Sequence, residues 1–393
     1  MRRIRVVFAI GAMHGGGSER QLLLLLRHLD RKLFEPFLYL VYKSGPLLDQ
    51  IPSDVPVTSF DTRVTSSQIY LPGLMHSRRV RDYARYLNEV SADVSYDRTF
   101  LMTLISAAGA QKVGVPNVST IVTDPETGFA PVAGRFQWFK RRILHRLYNK
   151  SAQVLAVSDG AREAAIRFYG IRPDRILTLR NGVDTDWVLE QSTQPIDNDW
   201  WTRDKQIETA SRVVRIVSAG RLNQQKGFHL LIDALVQVRQ RIHDVEFRLA
   251  ILGDGPHRES LEQQIADLKL SDVVHLPGFQ GNAIAWYRSA DVFVLPSLVE
   301  GMPNVLLEAM ACGTPVISSD CHSGPAEILG GGRYGRLVPP GNINALRESL
   351  TAALLDPAGI RQTAAIAQSH VAEEWSARAA TKRLEEIFRF IRK

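Results

Sequence analysis

Twice along this chain, short runs of β-branched and aromatic residues alternate with longer stretches of helical periodicity. This constrains the fold more than any other feature, because strands separated by helices pair in parallel, and a parallel sheet needs helices on both faces. Strands are predicted at residues 6–10, 37–42, 55–60, 94–96, 118–122, 154–157 and 176–179, and again at 213–219, 247–252, 273–276, 292–295 and 316–318. Between the two series, residues 191–212 lose both periodicities and are mostly polar around Trp200 and Trp201. The expected architecture is α/β, with two doubly wound Rossmann-like domains at 1–190 and 213–375 and a linker at 191–212. A last helix within 376–393 places Leu384, Ile387, Phe388 and Ile391 on one face and is expected to pack back toward the first domain. Open sheets of this kind hold ligands at the carboxyl ends of their strands, so functional residues are expected in the loops that follow strands.

A chain of 393 residues is long enough for two domains, and 45% apolar residues can build their cores. The two cysteines, Cys312 and Cys321, exclude a disulfide framework or a cysteine-rich metal site and fit a reducing compartment. The basic start at Arg2, Arg3 and Arg5 is followed by an apolar run that breaks at Gly11, too short for a secretory leader. No run approaches the roughly 18 to 20 apolar residues of a membrane span. The expected location is the cytoplasm.

Charge is uneven: residues 1–186 carry 26 basic and 17 acidic side chains, residues 187–393 carry 22 and 24. No nucleic-acid module accompanies the basic half, and no nucleic-acid partner is expected. Its densest segment holds Arg135, Lys140, Arg141, Arg142, Arg146 and Lys150 without an acid, while Phe136, Phe139, Ile143 and Leu147 recur at helical spacing. Two readings fit: a basic amphipathic helix lying peripherally on an anionic leaflet, or a helix packed on its sheet with the basic face in water. Arg78, Arg79, Arg81 and Arg85 would extend the same positive surface.

Three loops after strands carry candidate chemistry. In the first, Gly15, Gly16 and Gly17 allow close backbone approach, Ser18 can cap the next helix, and the helix start favours an anion; an ordinary strand-to-helix turn has the same composition. It does not match Gly-x-Gly-x-x-Gly. In the second, Arg221 and Lys226 precede Gly227, a forked donor and a compact ammonium that could grip two phosphates or be two solvated charges. The third runs Glu300-Gly301-Met302-Pro303-Asn304-Val305-Leu306-Leu307-Glu308. Pro303 suits a first helical turn with free N–H groups, and its two carboxylates suit sugar or ribose hydroxyls, unless they are only solvated acids.

These loops, with Arg180-Asn181-Gly182-Val183-Asp184, Gly253-Asp254-Gly255-Pro256 and the continuation Ala309-Met310-Ala311-Cys312-Gly313-Thr314-Pro315, resemble glycosyltransferase family 4, the retaining enzymes of the GT-B fold. The resemblance implies a catalytic set of Arg221, Lys226 and Glu300. Arg221 and Lys226 would hold a departing diphosphate, Glu300 the donor sugar and Glu308 the ribose. Gly253 and the backbone of Gly301, Met302, Pro303, Asn304 and Val305 would complete the donor site, with Gly16 and Gly17 closing over it from the other domain. Gly15, Ser18 and Asp124 fall on the acceptor side. Many members carry a histidine where this chain has Val122, so no catalytic histidine is assigned; Asp124 either takes over substrate contacts or caps a helix.

The same resemblance implies that the departing diphosphate oxygen takes the acceptor's proton, which requires no protein base. No cofactor or metal is expected, and Asp184-Thr185-Asp186 and Asp197-Asn198-Asp199 are read as coincidental. Residues 318–329 resemble the segment of members that use UDP-hexoses or UDP-N-acetylhexosamines to build bacterial surface glycans. A UDP-linked donor and a glycolipid or polyprenyl-diphosphate-linked acceptor are thus implied. The alternatives are a sugar-nucleotide epimerase or phosphorylase of the same fold, or a non-catalytic sugar-nucleotide-binding subunit.

Overall fold

The computed structural model describes residues 2–64, 73–203, 212–243 and 245–392. It divides into two compact units, Met1–Gly182 with Ala377–Lys393, and Val183–Ser376.

The first unit begins β1 (Ile4–Ile10), α1 (Gly17–His28), β2 (Phe34–Leu40), β3 (Val57–Ser59), α2 (Phe60–Arg63), α3 (Leu74–Glu89), β4 (Val94–Arg98) and α4 (Phe100–Val113). It continues with β5 (Asn117–Ile121), α5 (Pro125–Ala133), α6 (Gln137–Lys150), β6 (Gln153–Ala156), α7 (Asp159–Tyr169) and β7 (Ile176–Thr178). The seven strands are parallel and ordered β3-β2-β1-β4-β5-β6-β7. The order reverses between β1 and β4, where Val6 pairs with Val94 and Ala9 with Asp97. β1 is buried along almost its whole length, which explains why it reads as a continuous apolar run instead of an alternating one.

The second unit begins with α8 (Thr185–Ser192), α9 (Asp199–Thr202), β8 (Arg212–Ala219), α10 (Phe228–Arg239), β9 (Val245–Leu252), α11 (Arg258–Asp267), β10 (Val274–His275) and α12 (Ala283–Ser289). It ends with β11 (Val292–Leu295), α13 (Asn304–Ala311), β12 (Val316–Ser319), α14 (Pro325–Ile328), β13 (Arg336–Val338), α15 (Ile343–Leu355) and α16 (Pro357–Glu374). Its parallel strands run β10-β9-β8-β11-β12-β13, so the order again reverses beside the first strand, between β8 and β11. β13 escapes the sequence reading: it is three residues long, sits at the sheet edge and follows a glycine run.

Two expected boundaries move. Residue 190 lies inside α8, which packs with the second unit, where Asn282 Nδ2 donates to the Gln191 carbonyl at 2.9 Å. The first half of the expected linker is also folded. Asn198 caps α9, accepting from the Trp201 N–H at 2.9 Å, and Trp201 is fully buried against Trp286, its Nε1 donating to Ser289 Oγ at 2.8 Å. A four-residue helix carries too little periodicity to read from sequence; its signal was the tryptophan pair. Residues 204–211 lie outside the described residues.

α17 (Ala377–Ile391) returns to the first unit. Leu384 and Phe388 are wholly buried, and the Phe388 ring meets Phe8, Tyr96 and Phe34 at centroid distances of 6.1, 5.8 and 6.2 Å in edge-to-face geometry. Burying one such side chain stabilises by about 2 to 3 kcal/mol. Among the described residues, no helix is long and apolar enough to cross a membrane.

Candidate active site

In the second unit, the loops after β8, β9 and β11 are tied together by their backbones. Gly220 N–H donates to Leu252 at 2.9 Å, Leu222 N–H to Asp254 at 3.0 Å, and Leu298 N–H to Gln225 at 2.7 Å. Two glycines make this closeness possible. A Cβ on Gly227, at φ 64°, would lie 2.1 Å from the Pro296 carbonyl oxygen, and one on Gly253, at φ 128°, would lie 2.0 Å from that of Gly220.

This knitting brings Lys226 to Glu300 across a sequence separation of 74 residues: Lys226 Nζ donates to Glu300 Oε1 at 2.6 Å. Ser297 Oγ donates to the same oxygen at 2.6 Å, and Ser323 Oγ to the Glu300 carbonyl at 3.0 Å. Ser297 and Ser323 were not identified from sequence; the one available signal was the placement of Ser297 three residues before Glu300. Glu300 is 9% exposed, so its charge needs this company, and removing the ammonium alone would strand it. Arg221 is exposed one residue beyond Gly220.

Gly301, Met302, Pro303 and Asn304 are buried, Pro303 is the N-cap of α13, and Val305 is half-buried in its first turn. Glu308 follows in the second turn, also half-buried. The structure thus joins Lys226 and Glu300 directly and sets the 301–305 backbone in the loop that leaves Glu300 and opens α13.

In the first unit, the glycine loop follows β1 as expected, but the cap does not. Gly16 is the N-cap of α1, Gly17 its first residue, and Ser18 lies within the first turn without a capping bond. The start two residues earlier moves Ser18 off the cap position. Gly15 takes φ 94°. Asp124 is buried and caps α5, accepting the Glu126 N–H at 2.8 Å, which assigns it the local role; Val122 is half-buried just past β5. The Asp-x-Asp segments have local work as well: Asp184 caps α8 through the Trp187 N–H at 3.1 Å, and Asp199 pairs with Arg203 at 3.1 Å.

α6 divides its apolar stripe. Leu144, Leu147 and Tyr148 enter the core of the first unit with Ile143 packed beside them, whereas Phe136 and Phe139 stay in solvent. Phe136 is 73%, Trp138 72% and Phe139 56% exposed. The reading in which Phe136 and Phe139 share a packing face with Ile143 and Leu147 therefore fails, because Phe136 precedes the helix and only its later turns enter the core. Arg141 lies 4.3 Å over the Phe168 ring and Arg142 5.7 Å from that of Trp138.

Two parallel sheets whose strand order reverses beside the first strand of each are the two Rossmann-like units of the GT-B class. Glycosyl transferases group 1 matches residues 201–370, and Glycosyltransferase Family 4 matches residues 15–187. D-inositol 3-phosphate glycosyltransferase of Pseudarthrobacter chlorophenolicus is 30% identical over 303 residues, 73% of this chain and 69% of that protein. The chain belongs to glycosyltransferase family 4. It is also 31% identical over 214 residues, 54% of each chain, to the Campylobacter jejuni N-acetylgalactosamine-N,N'-diacetylbacillosaminyl-diphospho-undecaprenol 4-alpha-N-acetylgalactosaminyltransferase. It spans 58% of the length of one Salmonella typhimurium relative, WcaL, and about half of several others. In fold it is similar to Anabaena Alr3699/HepE, solved with UDP and glucose, at a TM-score of 0.80 and 22% identity over 99% of this chain and 100% of that one.

Proposed function

We propose that this protein is a retaining glycosyltransferase that moves a hexose or N-acetylhexosamine from a UDP-sugar to a glycolipid or lipid-linked glycan in bacterial surface glycan assembly. The observation that carries the reading is the Lys226 to Glu300 pair at 2.6 Å, in the loop that leads into α13 at Pro303. An incoming diphosphate would compete with Glu300 for the ammonium. Once Lys226 turns to phosphate, the Glu300 carboxylate is left to accept hydrogen bonds from sugar hydroxyls, so donor binding exchanges one ion pair for another instead of stranding a charge. Lys226 and exposed Arg221 then stabilise charge as it develops on the departing diphosphate, the term that dominates catalysis where no protein base is used. Glu308 is assigned to the ribose, and Gly16 and Gly17 to closing over the donor.

The donor and acceptor readings draw on the UDP and glucose of the Anabaena structure and on the undecaprenol-linked substrate in the Campylobacter enzyme's name. The reaction is proposed to run without a metal or cofactor, at the cytoplasmic membrane face. Arg135, Lys140, Arg141, Arg142, Arg146 and Lys150 would meet anionic headgroups there, with exposed Phe136, Trp138 and Phe139 entering the interface.

The test is binding and slow hydrolysis of UDP-glucose, UDP-galactose, UDP-GlcNAc, UDP-GalNAc and GDP-mannose, with and without EDTA. One UDP-sugar should bind and release UDP regardless of EDTA. If no nucleotide sugar binds, the function proposed here is wrong.

A further inference from the structure

Arg98 ends β4, beside β1 at the point where the strand order of the first unit reverses. It is 4% exposed. Arg248, the other buried arginine among the described residues, pairs with Glu246, as buried charge normally requires. Among the described residues Arg98 has no such partner. Its Nη1 donates to Tyr96 Oη at 3.1 Å and its Nη2 to Asn181 Oδ1 at 3.0 Å, both neutral oxygens, and Nε has no partner among the described residues. Two of the five guanidinium donors are thus used. Asp97 offers no compensation, because neighbouring strand residues point to opposite faces and its carboxylate takes its bonds from Thr103, Ser106, Asn117 and Ser119.

The surroundings place this cation at the crest of the sheet. Gln21, in α1 just past the glycine loop, donates to the Gly182 carbonyl at 2.8 Å, next to the asparagine that holds Arg98. The residue after Arg98, Thr99, sits at φ 77°, strained for a β-branched side chain. A buried guanidinium facing only neutral acceptors is expensive, and an arriving anion would relieve it.

We propose that Arg98 is the seat of an anion subsite on the first unit that receives an oxyanion, phosphate or carboxylate, carried by the acceptor. The oxyanion replaces the Asn181 amide oxygen on Nη2 and takes the orphan Nε–H with it, so that a neutral hydrogen bond becomes a forked, charge-assisted pair. The assignment rests on the transferase reading for what the anion belongs to, and on Arg98 alone for its existence.

The experiment titrates inorganic phosphate, and separately acetate, into the full-length protein saturated with UDP, which occupies the donor's phosphate positions. The wild type is expected to bind, with phosphate the tighter ligand if the acceptor group is a phosphate and acetate if it is a carboxylate. Arg98→Met should lose at least tenfold in affinity. Asn181→Asp sets a carboxylate against Nη2 and should abolish binding while leaving the protein folded and UDP affinity unchanged, which serves where Arg98→Met fails to fold. Selenate soaked into wild-type crystals should give an anomalous peak within hydrogen-bond reach of Arg98. No anion binding by the UDP-loaded wild type, or equal binding by Asn181→Asp, overturns the subsite; failure of UDP itself to bind overturns the transferase reading instead.

Discussion

The two units share a strand order and a reversal beside their first strand, yet they treat buried charge in opposite ways. In the second unit the loop after β11 brings Glu300 to Lys226, so the buried carboxylate is paired with a cation. In the first unit the corresponding strand, β4, buries Asp97 beneath four neutral donors at 2.6 to 2.9 Å and leaves Arg98 with no anion among the described residues. The difference shows that a shared topology provides the place for a site, whereas the side chains at the switch point decide whether that place is self-compensated, ready to exchange partners, or waiting for charge from outside.

The contrast can be broken most severely at Lys226. Lys226→Ala is expected to lower kcat by roughly 10²- to 10³-fold and to destabilise the fold by leaving Glu300 uncompensated. Adding Glu300→Gln should restore the melting temperature without restoring turnover, and recovery of both together would show that the pair is only structural.

The next largest effect is expected at Asp97. Asp97→Ala removes an acceptor shared by Thr103, Ser106, Asn117 and Ser119, each of which keeps at least one other partner, and should cost about 3 kcal/mol in denaturant unfolding, with turnover per folded molecule preserved. Burial pushes the Asp97 carboxyl above its ordinary range, so the folded chain holds this proton more tightly than the unfolded one. Its contribution is therefore complete below the unfolded pKa, near 3.9, and is lost as pH rises through the raised folded value. Melts of the wild type across that window should show the decline, and those of Asp97→Ala should lack it.

The smallest effect sharpens the surface contrast between the units. Replacing Phe136, Trp138 and Phe139 with serine should reduce sedimentation with anionic phospholipid vesicles about tenfold, while binding to neutral vesicles stays weak and hydrolysis of the soluble donor is unchanged. Equal sedimentation of variant and wild type would assign the aromatics no membrane role.

Much of this architecture could be read in advance because both series of strands are apolar, β-branched and followed by helices of the usual length. The helix after Pro303, the one beginning at Phe228, and the glycine loop after β1 were all placed within a residue or two. Local detail failed where a residue or two of phase matters. Ser18 and Gly16 both suit an N-cap, and which one serves depends on where the loop leaves β1. Phe136 and Phe139 have the spacing of a packed stripe, but spacing does not say which turns of a helix enter the core.

The sequence by itself determined the two α/β units, the side of each sheet on which the site must lie, and the residue types available there, because periodicity and loop position follow from backbone geometry alone. Only the tertiary structure decided which charges meet. That Lys226 finds Glu300 across 74 residues, that Asp97 turns to one face and Arg98 to the other, and that Arg98 is buried with only neutral acceptors are outcomes of packing distant segments at atomic distance. Coulomb and desolvation energies change over a few ångströms, a scale on which sequence spacing carries no information.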